Sequence, residues 1–184
     1  RDHVARYEFA ARVLPEGSRV IDFACGVGYG TRILADAGHT PRGFDIDNEA
    51  LAYARKHYPL VRAVESGFRA GNGNAPGELG EADAAVCFET IEHLEDPRAL
   101  LKALRTSAPL LVASVPNESV YPFFREDGTR VAFHHRHYTK FEFNALLREC
   151  GWCVTEWHGQ EGDDSEVEAN VNGRTLIAVA QRDA

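Results

Sequence analysis

Short apolar runs alternate along this chain with longer segments in which apolar residues fall three and four positions apart. Runs of the first kind predict buried strands, and segments of the second predict amphipathic helices. Residues 3–14 predict an opening helix, ended by Pro15 and Gly17. Residues 19–24 (RVIDFA) predict a buried first strand, and a glycine-rich turn leads from it into a helix over 30–37, closed by Gly38. A second strand follows over 41–46 and a helix over 48–57, capped by Asp47 or Asn48. Residues 60–65 predict a third strand, 71–80 a glycine-rich loop and 82–88 a fourth strand. Asp96 caps a helix with Pro97 at its first position, running to 107. A fifth strand covers 110–115 and is stopped by Pro116. The stretch 117–138 is long, irregular and rich in aromatic residues and histidines, and loops of that length usually serve function. Thr139 and Glu142 form a capping box for a helix ending at 150. Strands over 152–158 and 175–181 close the chain, with a polar excursion over 159–173 between them.

Strands alternating with helices predict an α/β fold, a mostly parallel sheet with helices on both faces. The last two strands have no helix between them, so an antiparallel C-terminal hairpin is expected at one edge. Seven strands result, in one domain spanning 1–184. The order of the strands in the sheet is not visible from the pattern.

Composition narrows the class. With 44% hydrophobic and 26% charged residues the chain is of ordinary globular type. It contains no apolar run long enough to span a membrane and opens on no secretory signal, so a soluble, cytoplasmic protein with no membrane partner is expected. Arg1 opens the chain and no methionine occurs in it, so a longer parent chain is expected. The net charge of −8 disfavours broad binding to phosphate backbones. Cys25, Cys87, Cys150 and Cys153 make no paired zinc pattern and are expected to be small buried hydrophobes. Trp152 and Trp157 are expected in the core of the closing strands.

The segment from Val20 to Gly30 (VIDFACGVGYG) carries the most chemistry. Glycines after a buried strand let a ligand approach the backbone, and the N–H groups of the following helix face it. Such a position, at the carboxyl end of a strand, is where open α/β sheets bind ligands. Asp22 stands four residues before the first glycine, Gly26. A carboxylate there would repel a pyrophosphate and suits an ammonium group, directly or through water. Asp45 ends the second strand, 17 residues after Gly28, where a carboxylate accepts ribose hydroxyls. Ile46 beside it is placed to pack on an adenine face, and Asp47 is left to cap the helix.

These features together resemble a class I S-adenosylmethionine-dependent methyltransferase, of the ubiquinone-biosynthesis and small-molecule type. The spacing around Asp22, Cys25, Gly26, Gly28 and Gly30 is similar to that family's first motif, D-x-x-C-G-x-G-x-G. The stretch 6–10 (RYEFA) resembles the opening helix of one branch, in which the tyrosine, here Tyr7, lies over the cofactor. The stretch 83–94 (DAAVCFETIEHL) resembles the fourth-strand motif, and Pro116-Asn117 also fits. The resemblance runs from Arg6 to about Gly151. It implies a Rossmann-like fold and S-adenosylmethionine as cofactor. It also implies cofactor contacts at Asp22, Ala24, Cys25, Gly26 and Gly28, at Asp45 and Ile46, and at Tyr7, Phe88 and Glu89. Many relatives hold the adenine amino group with an Asp after the third strand; this chain has Glu65-Ser66-Gly67-Phe68, which leaves Ser66 or backbone groups for that contact.

Glu89, Glu92 and His93 fall on one face of a helix if the segment is helical. A second cluster, His134-His135-Arg136-His137-Tyr138, lies in the long loop, and His137 and Tyr138 are expected to face the pocket. Three readings stay open: framework shaping the acceptor side, a histidine acting as base, and a divalent-metal site. Glu-x-x-Glu-His occurs in the ubiquinone O-methyltransferases and in the small-RNA 2′-O-methyltransferases, which use it to bind a divalent ion. The implied metal ligands are Glu89, Glu92, His93 and His137, for an ion such as magnesium, and the candidate catalytic residues are His93, Glu89 and His137.

The expected reaction is methyl transfer from S-adenosylmethionine to an oxygen or nitrogen of a small-molecule acceptor: a sugar, a quinone-like molecule or a natural-product intermediate. RNA is the rival acceptor, disfavoured by the acidic charge and the lack of a basic stripe with interleaved aromatic residues. A non-catalytic cofactor-binding module and a nicotinamide-dependent enzyme are the readings from other classes. Acceptor identity and oligomeric state are not encoded in these motifs.

Overall fold

The computed structural model describes residues 2–58, 62–65, 79–162 and 165–183. Ser66 and most of the 71–80 loop lie outside the described residues. The chain opens with α1 (Asp2–Val13), then β1 (Arg19–Phe23), α2 (Tyr29–Asp36), β2 (Thr40–Asp45), α3 (Asn48–His57) and β3 (Arg62–Glu65). It continues through β4 (Ala84–Cys87), α4 (Arg98–Ser107), β5 (Leu110–Pro116), α5 (Lys140–Glu149), β6 (Trp152–Gln160), β7 (Glu168–Ala169) and β8 (Thr175–Arg182).

One sheet holds these strands in the order β3-β2-β1-β4-β5-β8-β6-β7. From β3 to β5 all neighbours are parallel, whereas β8 runs antiparallel to both β5 and β6. The expected hairpin is therefore present, with its second strand inserted next to β5 and its first strand outside it. The expected count of seven is extended by the two-residue β7, which pairs His158 with Ala169 and Gly159 with Glu168 at the edge, inside the polar excursion. Because β1 lies between β2 and β4, the chain winds one way from β1 and then the other. That reversal opens a crevice above the carboxyl ends of β1 and β4.

The two faces of the sheet are covered by different helices, and alternate residues of each strand go to each face. Ile21 and Phe23 of β1, Ala85 and Cys87 of β4, and Leu111 and Ala113 of β5 pack against Leu100, Leu101 and Leu104 of α4 and Phe143 and Leu147 of α5. Val20, Ala84, Val86 and Val112 pack on the other face with Phe9 and Ala10 of α1 and Leu34 of α2. The strands read as continuous apolar runs because both faces are buried.

Local signals set the helix ends. Asp47 accepts hydrogen bonds from the N–H groups of Glu49 and Ala50. Thr139 and Glu142 close the capping box on α5. Asp96 accepts from the Arg98 N–H at 3.1 Å. Trp152 is fully buried, and its indole N–H donates to the Leu101 carbonyl. Cys25, Cys87 and Cys150 are buried as expected, but Cys153, the second residue of β6, is exposed. Among the described residues no helix is long and apolar enough to cross a membrane.

Candidate active site

The turn after β1 is built by backbone geometry that few residues tolerate. Ala24, Gly26 and Gly28 have φ of 61°, 53° and 85°. The Cys25 N–H donates to the Phe44 carbonyl, which ties the turn to β2. A Cβ on Gly28 would stand 2.8 Å from that of Ala54 on α3, whereas one on Gly26 would meet nothing within 4 Å. Gly26 thus presents bare backbone to open space. Its N–H donates to Asp45 Oδ2 at 2.7 Å, and Asp45 Oδ1 accepts from the Asp47 N–H at 2.9 Å. A carboxylate has about four lone-pair sites, so each oxygen keeps capacity for a hydroxyl. Beside it Ile46 is 56% exposed, an apolar surface at the rim of the crevice. Cys25 turns away from the crevice: Gly43 stands where a Cβ would lie 2.7 Å from the Cys25 sulfur.

Asp22 is not at the surface of the crevice. It is 1% exposed, and its two oxygens accept from the Tyr7 hydroxyl at 2.8 Å and the Thr31 hydroxyl at 2.5 Å. It therefore braces the turn from below, joining α1, β1 and α2. Burial pushes its carboxyl up to about 6, against the pull of the two hydroxyl donors. The unfolded chain releases that proton near the ordinary value of about 3.9. Between these two pH values the folded chain holds more protons, so stability falls as pH rises through the window, and the full cost stands above it. Asp22→Asn is expected to flatten the urea-midpoint profile between about pH 4 and 6, removing a change on the order of 3 kcal/mol. An unchanged slope would assign the pH dependence to another group.

Tyr7 meets Tyr29 at the start of α2 and Phe88, just after β4, edge-on, with ring centroids 5.9 and 5.1 Å apart. A Cβ on Gly30 would fall 2.1 Å from the Tyr7 ring. Gly30→Ala is expected to cost about 2–3 kcal/mol by overpacking, read as a lower denaturation midpoint. Adding Tyr7→Ala should recover most of the Gly30→Ala penalty, and purely additive losses would contradict the contact. Phe88 is buried in the same cluster, not open to the crevice.

The segment from Glu89 to His93 is not an α-helix. The φ of Glu89 is 46°, and only a 3₁₀ turn forms after it, over Ile91–His93. The left-handed residue breaks the one-face pattern of Glu89, Glu92 and His93. Glu89 turns instead to Arg6, whose Nη1 lies 3.0 Å from its Oε1, and to Ser114, whose hydroxyl donates to it at 2.9 Å. Arg6 is buried, and while its Nη1 pairs with Glu89, its Nε has no hydrogen-bond partner among the described residues. Arg6 and Glu89 line a cavity of about 150 Å³ with Tyr121, His134 and Arg174. Arg6 was missing from the candidate site residues although it immediately precedes Tyr7 on α1.

Glu92, His93 and His134 converge. One ligand atom from each lies within 4.8 Å of the others. Glu92 is 0% exposed, and neither carboxylate oxygen has a hydrogen-bond partner among the described residues. Burial, with the nearby charge of Glu89, holds its carboxyl well above the usual range. His93 is 41% exposed on its side chain, with Nε2 4.0 Å from Glu92 Oε1. Burial and the neighbouring His93 and His137 lower His134 to about 4, which keeps it neutral. A buried carboxyl group without a hydrogen-bond partner, beside two imidazoles, is a donor set that could hold a divalent transition metal.

The expected ligand set is redistributed. Glu89 points to Arg6 and Ser114, and His137 stands behind His134 at 2.7 Å. Two histidines of the loop, His134 and His137, turn inward, while His135 is exposed. Tyr138 faces the core, where it meets Phe143, and not the pocket.

The methyltransferase domain family matches residues 2–157. The chain belongs to the class I S-adenosylmethionine-dependent methyltransferases. The match takes in the glycine turn, Asp45 and the Glu89–His93 segment, and ends within β6. This methyltransferase chain is 30% identical over 175 residues to a protein of Mycolicibacterium smegmatis named "Probable S-adenosylmethionine-dependent methyltransferase", covering 90% of this chain and 65% of that one. It therefore spans just under two thirds of that relative's length. It is 33% identical over 187 residues to the ubiquinone biosynthesis O-methyltransferase of Xanthomonas axonopodis pv. citri, covering 91% of this chain and 76% of that one. Among solved structures, an S-adenosylmethionine-dependent methyltransferase from Mesorhizobium loti superimposes with a TM-score of 0.70 at 16% identity, over 98% of this chain and 99% of that one. At that identity the likeness speaks for the fold.

Proposed function

We propose that this methyltransferase moves a methyl group from S-adenosylmethionine to an oxygen or nitrogen of a small-molecule acceptor. The observation that carries the reading is the pairing of Asp45 with the Gly26 N–H at 2.7 Å, beside bare backbone at Gly26 and the exposed Ile46. A carboxylate held by two backbone donors is preorganised to accept the two ribose hydroxyls. Ile46 supplies an apolar face for adenine. The buried Arg6, whose Nε lacks a hydrogen-bond partner among the described residues, suits the carboxylate of the methionyl group. Asp22, through Tyr7 and Thr31, holds the turn rather than touching the ammonium.

The sulfonium supplies the electrophile, so the chain's own residues need only align the acceptor, exclude water and take up a proton. His93 is suited to the last task. Its Nδ1 is 3.0 Å from the Phe133 carbonyl, which fixes that nitrogen as the donor and leaves Nε2 basic, next to Glu92. A small acceptor agrees with the size of the Arg6–Glu89–His134 cavity, with the chain's charge of −8 and with the name of the Xanthomonas relative.

The orphaned Glu92 carboxylate favours a second form of the same reading. Glu92, His93 and His134 would hold a divalent ion, which supplies Lewis-acid polarisation of an acceptor oxygen. That form brings catechol-like acceptors and RNA 2′-hydroxyls into range. The decisive experiment is isothermal titration with S-adenosylmethionine, its demethylated product and NAD, repeated with magnesium or manganese and after chelation. Binding of the first two and not of NAD is expected. No heat with either methyl-donor ligand would leave a scaffold without a cofactor.

A further inference from the structure

We propose that His137 is a positioning residue: it holds His134 in the tautomer whose proton sits on Nδ1, leaving Nε2 as a lone pair for the site. This rests on the reading of Glu92, His93 and His134 as the base or ion site. The Tyr121 carbonyl oxygen can only accept, and His137 Nδ1 lies 2.7 Å from it. The proton of neutral His137 is therefore on Nδ1, and its Nε2 is an acceptor. That Nε2 lies 2.7 Å from His134 Nδ1, so His134 must donate from Nδ1 and keep Nε2 bare.

The same logic acts independently on His93, whose Nδ1 faces the Phe133 carbonyl at 3.0 Å. Both imidazoles of the site thus leave the same nitrogen unprotonated, each oriented by a backbone carbonyl, one directly and one through His137. Outer hydrogen bonds of this kind set the orientation and basicity of ligating histidines.

The surroundings fix His137 rigidly enough for this task. It is buried, with ring centroids of Tyr121, Phe123 and His134 at 5.0, 5.6 and 4.9 Å. Glu118 Oε2 stands 3.9 Å from His137 Nδ1, and accepts instead from the Phe123 N–H at 2.7 Å. The loop over 117–138 is therefore folded around an imidazole that itself offers no free nitrogen to a ligand. An exposed neutral histidine in water prefers its proton on Nε2, the opposite form. Without His137, His134 should revert to that form and present a proton where the site needs a lone pair.

Long-range proton–nitrogen correlation spectra of the labelled chain test this directly. His134 is expected as the Nδ1–H tautomer in the wild type. His137→Gln keeps an amide oxygen near the place of Nε2 and should preserve it. His137→Leu, of similar bulk, should shift His134 to Nε2–H and weaken manganese binding about tenfold or more relative to His137→Gln. An Nε2–H form of His134 in the wild type, or an unchanged Nδ1–H form in folded His137→Leu, would overturn the proposal. The wild-type spectrum and His137→Gln decide the matter even if the leucine variant does not fold. A tautomer that shifts as expected in a chain that binds no manganese supports the positioning role and removes the ion from the site.

Discussion

Asp45→Ala is expected to weaken S-adenosylmethionine binding on the order of 100-fold, equivalent to about 2.8 kcal/mol. Asp45 is the acceptor on which the crevice is organised. It holds the Gly26 N–H at 2.7 Å and the Asp47 N–H at 2.9 Å, and so it joins the glycine turn to the end of β2. Hydrogen bonds to a charged acceptor contribute roughly 1.5–3 kcal/mol each, and alanine removes two toward the ribose. It also frees the Gly26 N–H, which sits at φ 53° with no side chain to brace it. Isothermal titration with S-adenosylmethionine and with its demethylated product should show parallel losses, because both carry the same ribose. A change under about threefold would mean that the ribose is held elsewhere. A loss confined to one of the two ligands would contradict a ribose role.

Glu92→Leu is expected to stabilise the metal-free chain while abolishing its response to divalent ions. Glu92 is 0% exposed and its two oxygens have no hydrogen-bond partner among the described residues, so the native side chain is a local cost to folding. An apolar residue of similar volume should raise stability by about 1–3 kcal/mol. In a chain of this size each kcal/mol moves the melting temperature by roughly 2–4 °C. Burial raises the Glu92 carboxyl, so the wild-type apoprotein should lose stability as pH climbs above the ordinary glutamate value of about 4.3. The variant should lack that fall. Manganese should raise the wild-type melting temperature and leave the variant unmoved. A variant less stable than the wild type in the absence of metal would make Glu92 a structural residue and would sink the ion reading.

Most of the fold was legible in the hydrophobic pattern. The helix over 48–57 and its Asp47 cap, the capping box at Thr139 and Glu142, and the buried runs of β1, β4 and β5 follow from rules that act within a few residues. The glycine turn and Asp45 were legible for the same reason: a strand, a turn that needs positive φ and a helix start are contiguous in the chain. The site beyond them was harder to read. Whether Glu89 shares a helical face with Glu92 and His93 was left conditional, because side-chain spacing carries no mark of its left-handed backbone. Arg6 was passed over because its partner, Glu89, is far along the chain and on another element. His134 and His137 stand three residues apart in the same loop, and no periodicity rule distinguishes which of them reaches Glu92.

The chain by itself determined which segments become strand or helix, where the glycines open the backbone, that Asp22 lies near the end of β1 and that Asp45 ends β2. Only the tertiary structure decided the strand order that places β1 between β2 and β4, the burial of Asp22 under Tyr7 and Thr31, and the meeting of Glu92 with His93 and His134. The physical reason is one of range. Backbone preference and amphipathic spacing act between near neighbours. Desolvation, ion pairing and imidazole tautomers depend on groups that meet only once the sheet has closed over its two layers of helices.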